Sequence, residues 1–123
     1  MKKVIVRTVG FAIAVVAAAY VVTTMPLPFV RVWWKAGIGD DGDPLHKRHR
    51  IADSLVWSHA LIGRQGSDIE RQLGFMSRAR SFPGWDMVYL LGDERSFFSI
   101  DGEWLVIRLN ANGRASEARK IRD

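Results

Sequence analysis

Between Arg7 and Arg31 the chain carries no charge, and the centre of that stretch, Val9 to Val22, is almost wholly Val, Ala, Ile, Phe and Gly. A run of this kind has two stable homes, a protein core or a bilayer. About 20 apolar residues cross the hydrocarbon layer, and the run reaches that length when Thr23 to Leu27 are included. Lys2 and Lys3 in front of it imply an N-terminus that stays in the cytoplasm. Pro26 and Pro28 end the helix, and Trp33 and Trp34 stand where an interfacial aromatic belt belongs. Residues 1–30 therefore read as a signal anchor, a transmembrane helix whose residues 8–30 meet the lipid bilayer. The rival is a cleaved signal peptide, because Ala17-Ala18-Ala19 fits the small-x-small cleavage rule. Tyr20-Val21-Val22 carries the apolar run past that site, which favours the anchor. Both readings put the remainder outside the cytoplasm.

Charge supports the topology and little else. The formal net charge is +5, of which Lys2, Lys3 and Arg7 supply three, leaving +2 for everything downstream. The clustered basic face of a nucleic-acid binder is missing, so nucleic acid is not expected as a partner. There is no cysteine, which excludes a disulfide framework, a thiolate zinc site and a lipidated-cysteine anchor.

Residues 31–43 read as a polar juxtamembrane linker, with Gly37, Gly39, Gly42, Asp40 and Asp41. Asp43-Pro44 marks a helix start, with Asp as N-cap and Pro at the first helical position. The helix should run to about Ser58, with Leu45, Ala52, Leu55, Val56 and His59 as its apolar stripe and Ile51 at the edge. Lys47, Arg50 and Ser54 fall on the solvated side, and the run Lys47-Arg48-His49-Arg50 reads as a solvated basic face. Asp40-Asp41-Gly42-Asp43 lacks the spacing and the closing Glu of a calcium loop. His46 and His49 share a spacing that zinc ligands use, but further ligands are wanting, so they read as solvated histidines. Asp53, Ser54 and His59 diverge on one helix and do not make a triad. No Gly-x-Ser-x-Gly or phosphate loop is present, and no enzyme, metal or cofactor is expected.

A second, two-turn helix is marked by Ser67 with Glu70 three residues on, the pattern of a capping box. Ile69 and Leu73 form its apolar side, and Gly74 stands at the left-handed C′ position. So short a helix must dock on something. The partner is strand-rich. Trp85 to Leu91 alternates, with Trp85, Met87, Tyr89 and Leu91 on one face and Val88 and Leu90 on the other. Asp101-Gly102 is a favoured hairpin dipeptide. Glu103 to Leu109 places Leu105, Ile107 and Leu109 toward the core, and Asn110-Ala111-Asn112-Gly113 makes a turn. Arg114 to Arg122 has helical propensity, but the turn before it favours a charged return strand at the sheet edge. The fold class is α+β: a leader helix, then two helices on a three-stranded antiparallel sheet (ααβββ).

The order Leu61-Ile62-Gly63, Ser67, Ile69, Leu73-Gly74 resembles the SmpA/OmlA-like family of small bacterial envelope proteins. Tyr89-Leu90-Leu91-Gly92, Phe98, Ile100-Asp101, Trp104-Leu105-Val106-Ile107 and Gly113 look like an uncharacterised branch of the same group. The lipoprotein members' cysteine is absent, and the Pro common after Leu-Gly is displaced to Pro83. The resemblance implies an SmpA/OmlA-like domain over 44–123 and an envelope location. With the leader, that means a single pass in the bacterial inner membrane, N-terminus cytoplasmic and domain periplasmic. No binding residue carries over.

The expected function is non-enzymatic: an anchored module that touches another envelope protein. The expected contact surface is the sheet face bearing Trp104 and Val106, or the loop with Phe97 and Phe98, against the alternative that these aromatics simply fill a small core, which aromatics more often do. The alternative is a secreted or anchored inhibitor, or a small-ligand module.

Overall fold

A computed structural model describes residues 2–36, 45–77, 82–93 and 101–122. They form α1 (Lys2–Thr24), α2 (Arg31–Ala36), α3 (Lys47–Trp57), α4 (Gly66–Leu73), β1 (Met87–Asp93), β2 (Gly102–Leu109) and β3 (Ala115–Arg122). The class is α+β, with an antiparallel sheet in the order β1-β2-β3. The last segment is a strand, as the turn before it requires. Asn110 Oδ1 accepts from the N–H groups of Asn112 and Arg114, and Gly113 takes φ 74°, so the chain must reverse here.

The sheet is buried on both faces, and period-two alternation sorts the residues between them. Met87, Tyr89, Leu91, Leu105, Ile107 and Ala115 pack against Ile51, Ala52, Leu55, Leu61, Ile69 and Leu73 of the helical layer. Val88, Trp104 and Val106 form a second cluster with Phe82, Trp85, Leu90 and Ile121. Trp85 therefore lies opposite to the face expected for it. β1 begins only at Met87, so strand parity does not reach back to Trp85. The edges are partly closed. Ser77 donates its N–H to Val88 and accepts from Leu90 N–H through Oγ, while Gly63 and Arg64 pair with both backbone groups of Ala115. Covering edge groups in this way removes templates for strand addition.

Local chemistry differs from expectation at both helix ends. α4 starts two residues earlier than the Ser67 box implies: Gln65 is the N-cap and makes no side-chain cap bond. Gly66 N–H is held instead by Gly113 O at 3.0 Å, so the loop-to-turn contact, not a capping box, places the helix. At its other end Gly74 closes the helix with positive φ as expected, but as the C-cap rather than C′ and outside the left-handed helical region, at φ 90° and ψ −168°, donating to Glu70 O at 2.7 Å. α3 starts at Lys47, and Asp43-Pro44 lies outside the described residues. His59 is exposed and does not belong to the apolar stripe. It takes φ 55° at C′. His59 N–H bonds Val56 O and Ala60 N–H bonds Leu55 O, a Schellman closure.

The stretch read as a linker is not one over its described part. Residues 31–36 form α2, and Leu27 and Phe29 pack against the main core, so the folded body begins near Met25 rather than at residue 44. The N-terminal segment is helical from Lys2 to Thr24, but no helix among the described residues is long and apolar enough to cross a membrane. The uncharged part of α1 runs only from Thr8 to Thr24. At ~1.5 Å per residue such a stretch covers about 25 Å, short of the roughly 30 Å of a hydrocarbon layer. The apolar residues counted on beyond Thr24 are committed to the domain.

Candidate functional site

Two buried polar knots fasten α2 and α3 to the sheet, and they use residues expected at the surface. The first is built around Trp34. Expected at a membrane interface, Trp34 is 0% exposed and sits in the core. Its indole N–H donates to Leu73 O at 2.8 Å. That carbonyl is one that the end of α4 leaves open. Phe29 and Tyr89 pack on its ring at centroid distances of 6.3 and 6.2 Å. The Arg48 guanidinium lies 4.0 Å above the ring centroid and donates to Trp34 O at 3.1 Å, a cation held over a π face. Burial works against the Arg48 charge and pulls its pKa down to about 10, still well above neutral. Arg50 completes the mooring. Its Nε donates to Met25 O at 2.7 Å while its own carbonyl accepts from Leu27 N–H at 3.0 Å. The basic run is thus turned inward: Arg48, His49 and Arg50 are all buried, contrary to the solvated face expected.

Tyr89 makes this knot sensitive to alkali. Burial, and then the charge of Glu70, push its phenol up to about 12, with Arg48 pulling the other way. The folded chain therefore holds the phenol proton more tightly than the unfolded chain. The associated stability is fully present below pH 10 and is lost as pH rises toward about 12. Arg48, shifted down, acts with the opposite sign between about 10 and its ordinary value. A comparison of wild type with Tyr89→Phe isolates the tyrosine. The wild type should lose stability more steeply with pH in that window, by up to about 1.4 kcal/mol per pH unit. Urea unfolding at a series of alkaline pH values measures the difference, and parallel curves would refute it.

The second knot joins α3 to the strands. His49 Nε2 lies 2.7 Å from Asp93 O and 3.2 Å from Glu103 Oε2. Both neighbours are acceptors, so this nitrogen carries a hydrogen. The shorter contact takes the N–H, and Oε2 lies at the electropositive edge of the ring. Arg122 Nε meets the other carboxylate oxygen at 3.2 Å. A β-bulge between Leu90 and Gly92 makes room for the imidazole. Gly92 has φ 131°, and a Cβ there would stand 3.0 Å from His49 Cε1. The bulge requires glycine on both counts. His46, at φ 48°, packs its ring edge-on to His49 at 5.4 Å. The arrangement is structural: the imidazole is sealed between helix and sheet.

The remaining expected residues do not assemble into a site. Trp104 and Val106 are buried in the second cluster and offer no contact surface. Phe97 and Phe98 lie outside the described residues, as do Asp40, Asp41 and Asp43. Trp33, beside the buried Trp34, is 37% exposed. Asp53 is paired with Lys120 of β3, which removes it from any acid–base set with Ser54. Among the described residues no group of three or more His, Asp or Glu is placed to hold a metal ion. A cleft of about 450 Å³ opens beside α4, lined by the polar Ser67, Glu70 and Asp86 and the apolar Met76, Met87 and Leu109 among others. His49 does not line it. Two of the most exposed large apolar side chains on the domain lie outside the cleft's lining, Trp57 at 81% and Phe75 at 87% accessible.

No family model, no curated protein and no solved structure matches this chain.

Proposed function

We propose that the chain is a membrane-tethered, non-enzymatic module of the bacterial envelope, held by α1 and acting through protein contact, with its domain on the extracytoplasmic side. One observation carries the tether. The described side chains of α1, from Val6 to Ala19, are exposed on every face, and they include Val6, Val9, Phe11, Ile13, Val15 and Val16. A helix that is apolar all round calls for an apolar surrounding. Lys2, Lys3 and Arg7 at one end favour a cytoplasmic N-terminus. Length alone does not make the case, since the uncharged part of α1 falls short of a full span. The order of motifs that resembles the SmpA/OmlA-like family supports an envelope setting. For protein contact, Trp57 and Phe75 now stand in place of the sheet face, since exposed aromatics anchor interfaces more often than other side chains do.

The test uses the full chain. Wild type should float with phospholipid vesicles and resist extraction by alkaline carbonate. Ile13→Lys with Val16→Lys places two charges on the middle of α1 at a cost of ~3 kcal/mol each in a bilayer. That variant should appear in the soluble fraction. Wild type remaining soluble, or a mature chain starting near Tyr20, would remove the tether.

A second reading, a small-ligand module, is favoured by the cleft beside α4. Its volume of about 450 Å³ falls within the range of ligand pockets, and its open lining is polar and apolar in equal measure.

A further inference from the structure

We infer that α2 is a membrane-surface helix, seated at the headgroup boundary through Val32 and Trp33, and that the moorings around it hold the domain at a fixed attitude to the lipid. The inference rests on the tether reading and deepens it by naming the surface that meets the bilayer.

α1 ends at Thr24, and the next carbonyl, Met25 O, is already held by Arg50 Nε at 2.7 Å. Leu27 is tied to the same arginine through its backbone N–H. The backbone is therefore held by the domain from the residue that follows α1. Two residues earlier on α3, Arg48 lies against Trp34. Both the exit of the tether and the middle of α2 are thus moored to the first turns of one helix, on one side of the domain.

The side chains of α2 divide sharply. Trp34 points into the core, while Arg31, Val32, Trp33 and Lys35 are exposed. Val32 is 73% accessible although the core lies two residues away along the chain, at Trp34. On so short a helix, an outward-facing Val and Trp flanked by Arg and Lys form the set that suits a lipid headgroup layer. The indole and the branched chain sit at the acyl boundary, and the cations reach the phosphates. The occupant is a lipid surface rather than a second protein because the patch continues directly from α1 and carries its charges at the rim of an apolar pair.

The experiment separates the two claims. The full chain is mixed with vesicles of phosphatidylcholine and phosphatidylglycerol, flotation is measured, and tryptophan quenching by lipid brominated near the headgroup is recorded. The chain has five tryptophans, of which Trp34 and Trp104 are buried and Trp57 sits at the far end of α3. Shallow bromines should quench wild type, and Trp33→Phe should lose at least half of the quenched amplitude. Val32→Asp should lower quenching to a similar extent while keeping Trp33. Both substitutions are at exposed positions, so thermal melting should not move. A wild type that floats but is not quenched, or variants quenched as wild type is, would overturn the role of α2 and leave the tether standing. Failure to float would overturn both.

Discussion

Replacing Trp34 with alanine should lower the stability of the domain by about 3–5 kcal/mol, the range found for truncating a large buried aromatic. For a domain of this size that corresponds to a fall of more than about 10 °C in melting temperature. Three losses add here. The emptied volume is lined by Phe29, Tyr89 and the guanidinium of Arg48, none of which can close over it without breaking its own contacts. Leu73 O loses its donor at the end of α4. Arg48, whose charge burial already opposes, loses the ring face beneath it. Trp34→Phe keeps an aromatic ring and gives up chiefly the N–H, so its cost should be nearer to about 1–2 kcal/mol. Trp33→Ala, one residue away, should move the melting temperature by no more than ordinary surface changes do. Chemical denaturation of the three variants decides the matter. Equal effects at Trp33 and Trp34 would contradict the placement of α2.

That neighbouring contrast shows where the sequence ceases to be informative. Alternation in Met87–Leu91 and Leu105–Leu109, and the Asn110–Gly113 turn, made the antiparallel sheet legible, because strand parity and turn chemistry are local. Two adjacent tryptophans after an apolar run carry no local mark that one turns inward. Trp34 is held inside by a carbonyl 39 residues away, and proximity to the leader assigned both the same role. The basic run at 47–50 misled for a related reason, since arginines are rarely buried unless paired. A cue to the second knot was present all the same. Glu103 has the parity of Leu105 and Ile107, and so a carboxylate stood on the core face. His49 falls three residues before Ala52, on the apolar stripe of α3. An acid on the buried face of a strand and an imidazole on the buried face of a helix call for one another. The inward turn of Trp104 was legible in part, because aromatics usually fill small cores, but nothing local distinguishes a covered sheet face from an exposed one.

The carboxylate in that second knot supplies the other large effect. Glu103→Ala should destabilise the domain by about 3–5 kcal/mol, because the cavity left by a buried side chain adds to the loss of the carboxylate's contacts. The residue is 3% exposed, and its two oxygens reach two different elements, His49 on α3 and Arg122 on β3. Removing it leaves the His49 N–H with Asp93 O and takes away the group that ties the helix to the central strand. Removing both partners should hurt less than the sum of the separate losses. His49→Leu alone strands the buried carboxylate, whereas the double variant His49→Leu, Glu103→Leu removes that group as well, and apolar replacements of buried pairs are often close to neutral. A double-mutant cycle in urea, built from His49→Leu, Glu103→Leu and the two together, should therefore show a coupling of about 3 kcal/mol or more. Arg122 provides the internal control. Its side chain is 55% exposed, so water can replace it at the carboxylate. Arg122→Ala should cost about 1 kcal/mol or less. If Glu103→Ala proves as mild as Arg122→Ala, or if the losses at His49 and Glu103 simply add, this knot does not hold the helix to the sheet.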